Sequence, residues 1–144
     1  MTDRSFEVGP IRPPSEANSL LLQVARGCTW NKCKFCVVYR GDKFHMHQPE
    51  ELKHTIDNMA YFRDMIVSYV RTDGTFDREG LTLELGKLTQ PELECFYMVY
   101  RWLMSGGKSV FLQDGNTVAL KAEKLADVLF YLREKFPQIE RITT

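Results

Sequence analysis

The chain has 144 residues, a formal net charge of zero and 44% hydrophobic residues, which together describe an ordinary globular domain that can bury a core without disulfides. Its 19 basic and 19 acidic side chains are mixed along the sequence, so the charge pattern gives no indication of nucleic-acid binding. No signal peptide and no apolar run of the ~20 residues that span a bilayer is visible, so we expect a cytoplasmic protein that binds no membrane.

Residues 1–18 are predicted to form an irregular lead-in, because they contain three prolines and show no hydrophobic periodicity. The core domain is predicted to span residues 19–144. It opens with a nearly continuous apolar run over residues 19–26, which ends at Gly27. Such a run is typical of a short strand that is buried on both faces, as the strands of parallel sheets are.

A long helix is predicted next, from Pro49 to about Arg71. Proline suits the first helical position, and the glutamates that follow it place negative charge at the positive end of the helix dipole. Residues 72–88 remain open between a short strand and a loop, since leucines alternate with other residues at positions 81, 83 and 85.

The second half of the chain alternates between helices and short strands. A capping box over residues 89–92 predicts the start of a second helix, which ends at Gly106. A strand is predicted over residues 109–112, and apolar residues at helical spacing predict a third helix over residues 125–136. A last strand is predicted over residues 139–144.

Strands that alternate with helices predict an α/β fold with a parallel sheet built from β-α-β units. A closed barrel of such units takes about 250 residues. We therefore predict the N-terminal part of a partial (β/α) TIM-type barrel, in which parallel strands alternate with helices, and we expect the sequence to be the front portion of a larger barrel.

Three of the four cysteines, Cys28, Cys33 and Cys36, lie on one short segment with the spacing C-x4-C-x2-C, directly after the first predicted strand. A reducing compartment keeps thiols free for metals or catalysis, and three soft ligands this close together can surround one metal centre. The cysteine segment is therefore the predicted metal site, and the neighbouring residues decide which metal centre it holds.

Zinc requires a fourth ligand, and its usual signature is a second cysteine or histidine pair downstream. His45 and His47 are separated by one residue, which does not match the usual ligand spacings. A structural zinc site is therefore the weaker interpretation, and no chemistry is assigned to these two histidines or to His54.

Plant-type [2Fe-2S] ferredoxins share the spacing C-x4-C-x2-C and add a distant fourth cysteine, a position that Cys95 could fill. This alternative is a small iron-sulfur electron-transfer or cluster-carrier protein. However, Cys95 falls on the second predicted helix among apolar residues, where a buried free thiol is the more common arrangement. The alternative also leaves the β-α-β order unexplained.

The segment from Gly27 to Cys36, with the aromatic Phe35 directly before the last cysteine, resembles the radical S-adenosylmethionine (radical SAM) superfamily. The commonest spacing in that superfamily is C-x3-C-x2-C. The longer spacing of this chain is similar to that of a subset of uncharacterised members related to the elongator and methylthiotransferase groups. The resemblance covers residues 19–144, and its specificity is concentrated in residues 27–36.

The resemblance implies a [4Fe-4S] cluster held by Cys28, Cys33 and Cys36, with one iron left open for S-adenosylmethionine. In that family a low-potential electron, from a donor such as flavodoxin or ferredoxin, cleaves the bound S-adenosylmethionine to a 5′-deoxyadenosyl radical, which abstracts hydrogen from the substrate. The cofactors carry the difficult chemistry, while the protein binds, orients and shields them. No particular substrate follows from the resemblance.

The resemblance also implies residues that contact S-adenosylmethionine. Phe35 matches the aromatic position that lies beside the adenine. Residues 110–116 match the end of the second barrel strand, where a Gly-Gly-Glu-like motif meets the methionine amino group, and this chain has Asp114 and Gly115 there instead. A carboxylate at the C-terminal edge of a strand suits an ammonium group, although an Asp-Gly pair alone is also a common turn. Phe35, Asp114 and Gly115 are therefore the predicted cofactor-binding residues.

Overall fold

The computed structural model describes residues 2–114 and 117–144. In these residues the chain has mixed α/β structure, with a parallel three-stranded sheet and four α-helices. The strands are β1 (Leu20–Gln23), β2 (Ala25–Arg26), β3 (His45–Met46), β4 (Ser109–Gln113) and β5 (Arg141–Thr143). The helices are α1 (Pro49–Ser68), α2 (Arg78–Leu85), α3 (Gln90–Met104) and α4 (Ala122–Lys135). Short 3-10 helices cover Pro14–Glu16 and Thr117–Ala119.

The main sheet has the strand order β1-β4-β5, and its three strands are parallel. In the register of β1 and β4, Leu20 pairs with Val110 and Gln23 pairs with Gln113. All residues of β1 are buried, as predicted for a strand that is covered on both faces. The prediction of an α/β fold with parallel strands is therefore confirmed.

The predicted strand over residues 19–26 is divided in two. β1 ends at Gln23, after which the N–H of Val24 donates to the carbonyl oxygen of Gln113 and the chain leaves the main sheet. β2 pairs instead with β3 in an antiparallel ribbon. This ribbon brings the two ends of residues 27–44, which carry the three clustered cysteines, side by side at the edge of the sheet.

The two helix starts that the sequence predicted from capping residues are confirmed. α1 begins at Pro49, with two glutamates in its first turn. α3 begins after the capping box, in which the Glu92 carboxylate accepts from the N–H of Thr89 at 2.9 Å. α1 packs against α3 and α4, and both α1 and α3 contact β1. Among the described residues, no helix is both long enough and apolar enough to cross a membrane.

A buried tryptophan links the helices to the sheet. Trp102, on α3, donates from its indole N–H to the carbonyl oxygen of Ser109 at 2.8 Å, where β4 begins. Its ring meets the ring of Phe136 edge to face, with centroids 5.3 Å apart. These contacts position β4, and the far end of that strand carries the candidate site.

Residues 72–88, which the sequence left open between a short strand and a loop, combine turns with a helix. They contain α2, which begins after Asp77, a residue whose side chain caps the first turn. Leu81 and Leu85 pack against the core, whereas Leu83 is 73% exposed. The leucine pattern did not indicate this helix, because positions four residues apart share a helix face and an alternating pattern this short fits both a strand and a helix.

Candidate functional site

The candidate site lies at the carboxyl edge of the parallel sheet, where β1 and β4 end side by side. Gln23 and Gln113 are partners in the register, and Asp114 follows directly. All three residues are buried. Because the loops that follow neighbouring parallel strands meet at this edge, α/β folds commonly place ligand-binding residues there.

Two side chains hold the carboxylate of Asp114. The Tyr39 hydroxyl donates to Oδ1 at 2.5 Å, and the side-chain nitrogen of Gln23 donates to Oδ2 at 3.0 Å. An ionised carboxylate can accept about four hydrogen bonds, so its oxygens retain acceptor capacity. The carboxylate is therefore fixed in orientation and can still bind a ligand that carries hydrogen-bond donors.

A cavity of about 400 Å³ opens beside this carboxylate, which is within the size range of small-molecule sites. Asp114 and Tyr39 line it, and so does Gly27, directly before the first cysteine of the segment. Arg26 and Glu7, which form an ion pair, are also part of its wall. The cavity therefore borders both the end of the sheet and the start of the cysteine segment.

The N-terminal residues cover this edge of the sheet. The Gln113 side chain makes two hydrogen bonds with the backbone of Gly9. Its Oε1 accepts from the Gly9 N–H at 2.9 Å, and its Nε2 donates to the Gly9 carbonyl oxygen at 3.2 Å. A Cβ atom at position 9 would lie 2.1 Å from Oδ2 of Asp114. Glycine is therefore required for the backbone to approach the carboxylate this closely.

The three predicted metal ligands are free thiols on the segment that follows β2. Cys33 is exposed, and Cys28 and Cys36 are partly exposed. The N–H of Cys36 donates to the carbonyl of Cys33 at 3.3 Å, which forms a turn between the two residues. The side-chain nitrogen of Asn31 donates to the carbonyl of Tyr39 at 2.8 Å and so ties the segment to the residue that holds the buried carboxylate.

The three clustered cysteine sulfurs do not all lie within 4.8 Å of one another. In residues 2–114 and 117–144, the only group of three donors whose ligand atoms all lie within 4.8 Å of one another contains no cysteine. Three thiolates on one tetrahedral zinc lie about 3.8 Å apart.

The structure does not bring Phe35 to the cavity. Its side chain is 90% exposed, and other residues line the space beside Asp114. The contact of Phe35 with adenine therefore stays a prediction. Gly115, the remaining predicted cofactor-binding residue, lies outside the described residues.

Cys95 makes its contacts with the N-terminal residues and not with the cysteine segment. The Phe6 N–H donates to its sulfur at 3.2 Å, and the thiol donates to the Phe6 carbonyl at 3.2 Å. Burial raises the pKa of the Cys95 thiol, which opposes the thiolate form that binds metals. As predicted, Cys95 is buried on this helix, and it forms no disulfide. This arrangement argues against Cys95 as a fourth cluster ligand.

A second group of donor side chains, to which the sequence interpretation assigned no chemistry, lies beside the β2-β3 ribbon. Nε2 of His45 and Nδ1 of His47 each lie 4.0 Å from Oε2 of Glu51. The two imidazole rings are T-shaped, with centroids 5.1 Å apart, and burial lowers the pKa of His47. His45 and His47 are separated by one residue, and alternate residues of an extended chain share a face. This spacing is the sequence feature that could have indicated the group.

Comparisons of the chain with protein-family models, with curated proteins and with solved structures find no match. The fold places the protein among α/β proteins with a parallel sheet. Because a fold of this class serves many functions, the function has to be inferred from the site itself.

Proposed function

We propose that the chain functions in a radical SAM enzyme and that Cys28, Cys33 and Cys36 hold a [4Fe-4S] cluster. The position of the cysteine segment carries this proposal, because the segment begins beside a cavity whose wall contains the buried carboxylate of Asp114. In this proposal the parallel sheet belongs to a (β/α) barrel of TIM type, whose carboxyl edge carries the site.

The donor set supports a cluster with three protein ligands. The three clustered thiols are free and at least partly exposed, so iron can reach them in the folded chain. Thiolates are the usual protein ligands of iron-sulfur clusters. Cys95 is a poor fourth ligand, because its thiol is buried and donates to the backbone of Phe6. One iron is then left without a protein ligand, which is the position that S-adenosylmethionine requires.

In this proposal Asp114 accepts hydrogen bonds from the amino group of S-adenosylmethionine. Tyr39 and Gln23 hold its two oxygens in place, so the carboxylate does not have to reorient when the cationic group binds. The backbone at Gly9 packs directly on the carboxylate and limits the access of water from that side. A hydrogen bond between two charged groups is also stronger than one between neutral groups.

A cluster held by Cys28, Cys33 and Cys36 would supply one electron to the sulfonium of S-adenosylmethionine, which would give methionine and a 5′-deoxyadenosyl radical able to abstract hydrogen from the substrate. The electron comes from a low-potential donor such as flavodoxin or ferredoxin. Because Cys33 is exposed, the outer side of the cysteine segment is the surface where such a donor would act. A reducing cytoplasm is part of the same proposal, since it keeps all four thiols free.

Anaerobic reconstitution of the full chain with iron and sulfide tests this proposal. We expect about four irons per chain and a paramagnetic resonance spectrum of the reduced cluster that changes when S-adenosylmethionine is added. Cys28→Ser, Cys33→Ser and Cys36→Ser are each expected to destabilise the cluster and to abolish this response. Cys95→Ser is the matched control, and we expect it to retain both the iron and the response.

Two outcomes would contradict the proposal. A two-iron signal that disappears in Cys95→Ser would identify the electron-transfer or carrier protein instead. A cluster whose spectrum does not respond to S-adenosylmethionine would mean that the protein ligates every iron. Asp114→Asn tests the cofactor contact separately: we expect the cluster to remain and half-maximal response to require about tenfold more S-adenosylmethionine, as for loss of a hydrogen bond to a charged group.

A further inference from the structure

We propose that His45, His47 and Glu51 bind a divalent transition-metal ion of the zinc type, at a site separate from the cysteine segment. Zinc uses two imidazoles and one carboxylate in three-ligand sites, where water or another small molecule fills the remaining position. Within the described ranges of the chain, these residues are the only group of three whose candidate donor atoms all lie within 4.8 Å of one another.

The donor atoms need only small movements to reach a common ion. Nε2 of His45 and Nδ1 of His47 each lie 4.0 Å from Oε2 of Glu51. Around a tetrahedral zinc with bonds of about 2.0–2.1 Å, neighbouring donors lie about 3.4 Å apart. Each of these pairs therefore has to close by about 0.6 Å. Side-chain rotation can supply this movement, because His45 and Glu51 are exposed.

The hydrogen bond of His47 leaves the nitrogen that faces Glu51 available to a metal. Nε2 of His47 lies 3.4 Å from the side-chain oxygen of Gln23. That oxygen faces the histidine because the Gln23 nitrogen donates to the carboxylate of Asp114. Nε2 of His47 therefore carries the proton, and Nδ1 keeps its lone pair. Metal-binding histidines commonly have their second nitrogen held by an oxygen acceptor in this way.

The carboxylate of Glu51 is held in place as well. Its Oε2 accepts from the backbone N–H of Gln48 at 2.6 Å, at the start of α1. A carboxylate has about four acceptor positions, so this hydrogen bond leaves room for a metal. His45 lies on β3, opposite Arg26 of β2. A bound ion therefore joins the ribbon to the first turn of α1 and stabilises the base of the loop that carries the cysteines.

Metal titration of the full chain tests this site. A variant with Cys28, Cys33 and Cys36 all changed to serine removes the thiols that compete for the ion, so the result does not depend on the proposed cluster. With Zn²⁺ as the probe in titration calorimetry, we expect this variant to bind one equivalent. With Co²⁺ as the probe, we expect a visible spectrum of nitrogen and oxygen ligation without a sulfur charge-transfer band.

Single substitutions in that background assign the ligands. His45→Ala, His47→Ala and Glu51→Gln are each expected to weaken Zn²⁺ binding at least tenfold. Glutamine can still accept the capping hydrogen bond, so Glu51→Gln preserves the start of the helix. His54→Ala and Glu50→Gln are matched controls, because both residues are exposed on the same helix, and we expect them to leave the affinity unchanged.

The proposal is overturned if the variant with Cys28, Cys33 and Cys36 changed to serine binds no Zn²⁺, or if His45→Ala and Glu51→Gln in that background bind it as tightly as their parent. His45 is exposed, so we expect its replacement to fold normally, and circular dichroism checks this. Because a ligand that binds the folded state stabilises it, Zn²⁺ should raise the melting temperature of the parent but not of His45→Ala. An equal rise in both proteins would also overturn the proposal.

Discussion

The hydroxyl of Tyr39 donates a 2.5 Å hydrogen bond to Oδ1 of Asp114, which lies 75 positions further along the chain. Tyr39 is 4% exposed and follows the last clustered cysteine closely, whereas Asp114 directly follows β4. One buried contact therefore links the cysteine segment to the edge of the sheet.

Tyr39→Phe keeps the aromatic ring and removes the hydrogen-bond donor. The buried carboxylate of Asp114 then loses the hydrogen bond from residue 39 and retains the hydrogen bond from the side-chain nitrogen of Gln23. We expect the free energy of unfolding to fall by about 1.5–3 kcal/mol, the usual loss for a hydrogen bond to a charged group. Urea denaturation of the metal-free protein measures this change.

Tyr97→Phe is the control for this prediction. Tyr97 is 49% exposed on α3, so removing its hydroxyl should change the free energy of unfolding by less than about 0.5 kcal/mol. If both substitutions had the same small effect, the hydrogen bond to Asp114 would contribute no stability.

Gly9→Ala introduces a methyl group next to the buried carboxylate. The new Cβ would lie 2.1 Å from Oδ2 of Asp114, and that oxygen is held by Gln23. Either the N-terminal segment or the carboxylate has to move, so we expect a loss of about 1–3 kcal/mol in the free energy of unfolding, as in other overpacked sites. Thermal unfolding followed by circular dichroism measures it.

Gly86→Ala provides a matched control for the added methyl group. Gly86 has an ordinary φ of −63°, and a Cβ there would meet only the carbonyl oxygen of Leu83 at 3.4 Å and that of Thr82 at 3.7 Å. We expect no loss of stability, and a gain of up to about 1 kcal/mol from the less flexible unfolded chain. Equal melting temperatures for the two variants would show that the Asp114 side chain can move away from the added methyl group without a loss of stability.

The elements that local chemistry determines were predictable from the sequence. α1 begins at Pro49 and α3 begins after Thr89, as their capping residues indicate. The end of β1 was not predictable, because it depends on a hydrogen bond from Val24 to Gln113 in a distant strand. Packing also decides which helix face is buried, and Tyr97 and Met104 on α3 are both about half exposed.

The candidate site likewise combines a feature that is local in the sequence with contacts between distant residues. The cysteine spacing is local, so the sequence alone identifies the segment. The residues around Asp114 come from separate parts of the chain, and no local pattern indicates that Gly9, Gln23 and Tyr39 meet there. The family resemblance led to Asp114, and the structure adds the side chains that orient it.

Glu16 is a buried carboxylate at the opposite end of the sheet. It is 4% exposed and accepts hydrogen bonds from Ser19 at 2.5 Å, from Arg141 at 2.7 Å and from Thr143 at 3.0 Å. Burial favours its neutral form, but these hydrogen bonds outweigh burial and lower the pKa of Glu16. The folded protein therefore binds this proton less readily than the unfolded chain does.

The lowered pKa of Glu16 predicts a pH-dependent contribution to stability. The contribution is complete above the unfolded-state pKa of about 4.3 and is lost as the pH falls through the lower folded-state pKa. Near pH 7 we expect Glu16→Gln to reduce the free energy of unfolding by about 1–2 kcal/mol, because Arg141 is half exposed and solvent screens part of the interaction. Denaturant titrations should show this difference shrinking below about pH 4.

Glu134→Gln is the control for the pH series, because Glu134 is exposed on α4. Its difference from the parent protein should stay near zero at every pH. A difference between Glu16→Gln and the parent that does not change with pH would mean that the pKa of Glu16 is the same in the folded and unfolded states.

The four thiols are expected to react at two distinct rates. Cys28, Cys33 and Cys36 are at least partly exposed, whereas Cys95 is 4% exposed and burial raises its pKa. Since the thiolate is the reactive form, a chromogenic disulfide reagent should modify three thiols of the metal-free protein quickly. The fourth thiol should react quickly only after denaturant is added.

Cys95→Ser assigns the slow thiol, because it should remove the slow phase and leave the fast phase unchanged. Loss of a fast equivalent in this variant would place Cys95 at the surface and restore it as a candidate fourth ligand. A slow phase assigned to Cys95 means that its sulfur becomes accessible only when the N-terminal residues separate from α3. Iron that binds the folded chain would then meet three accessible cysteines, Cys28, Cys33 and Cys36.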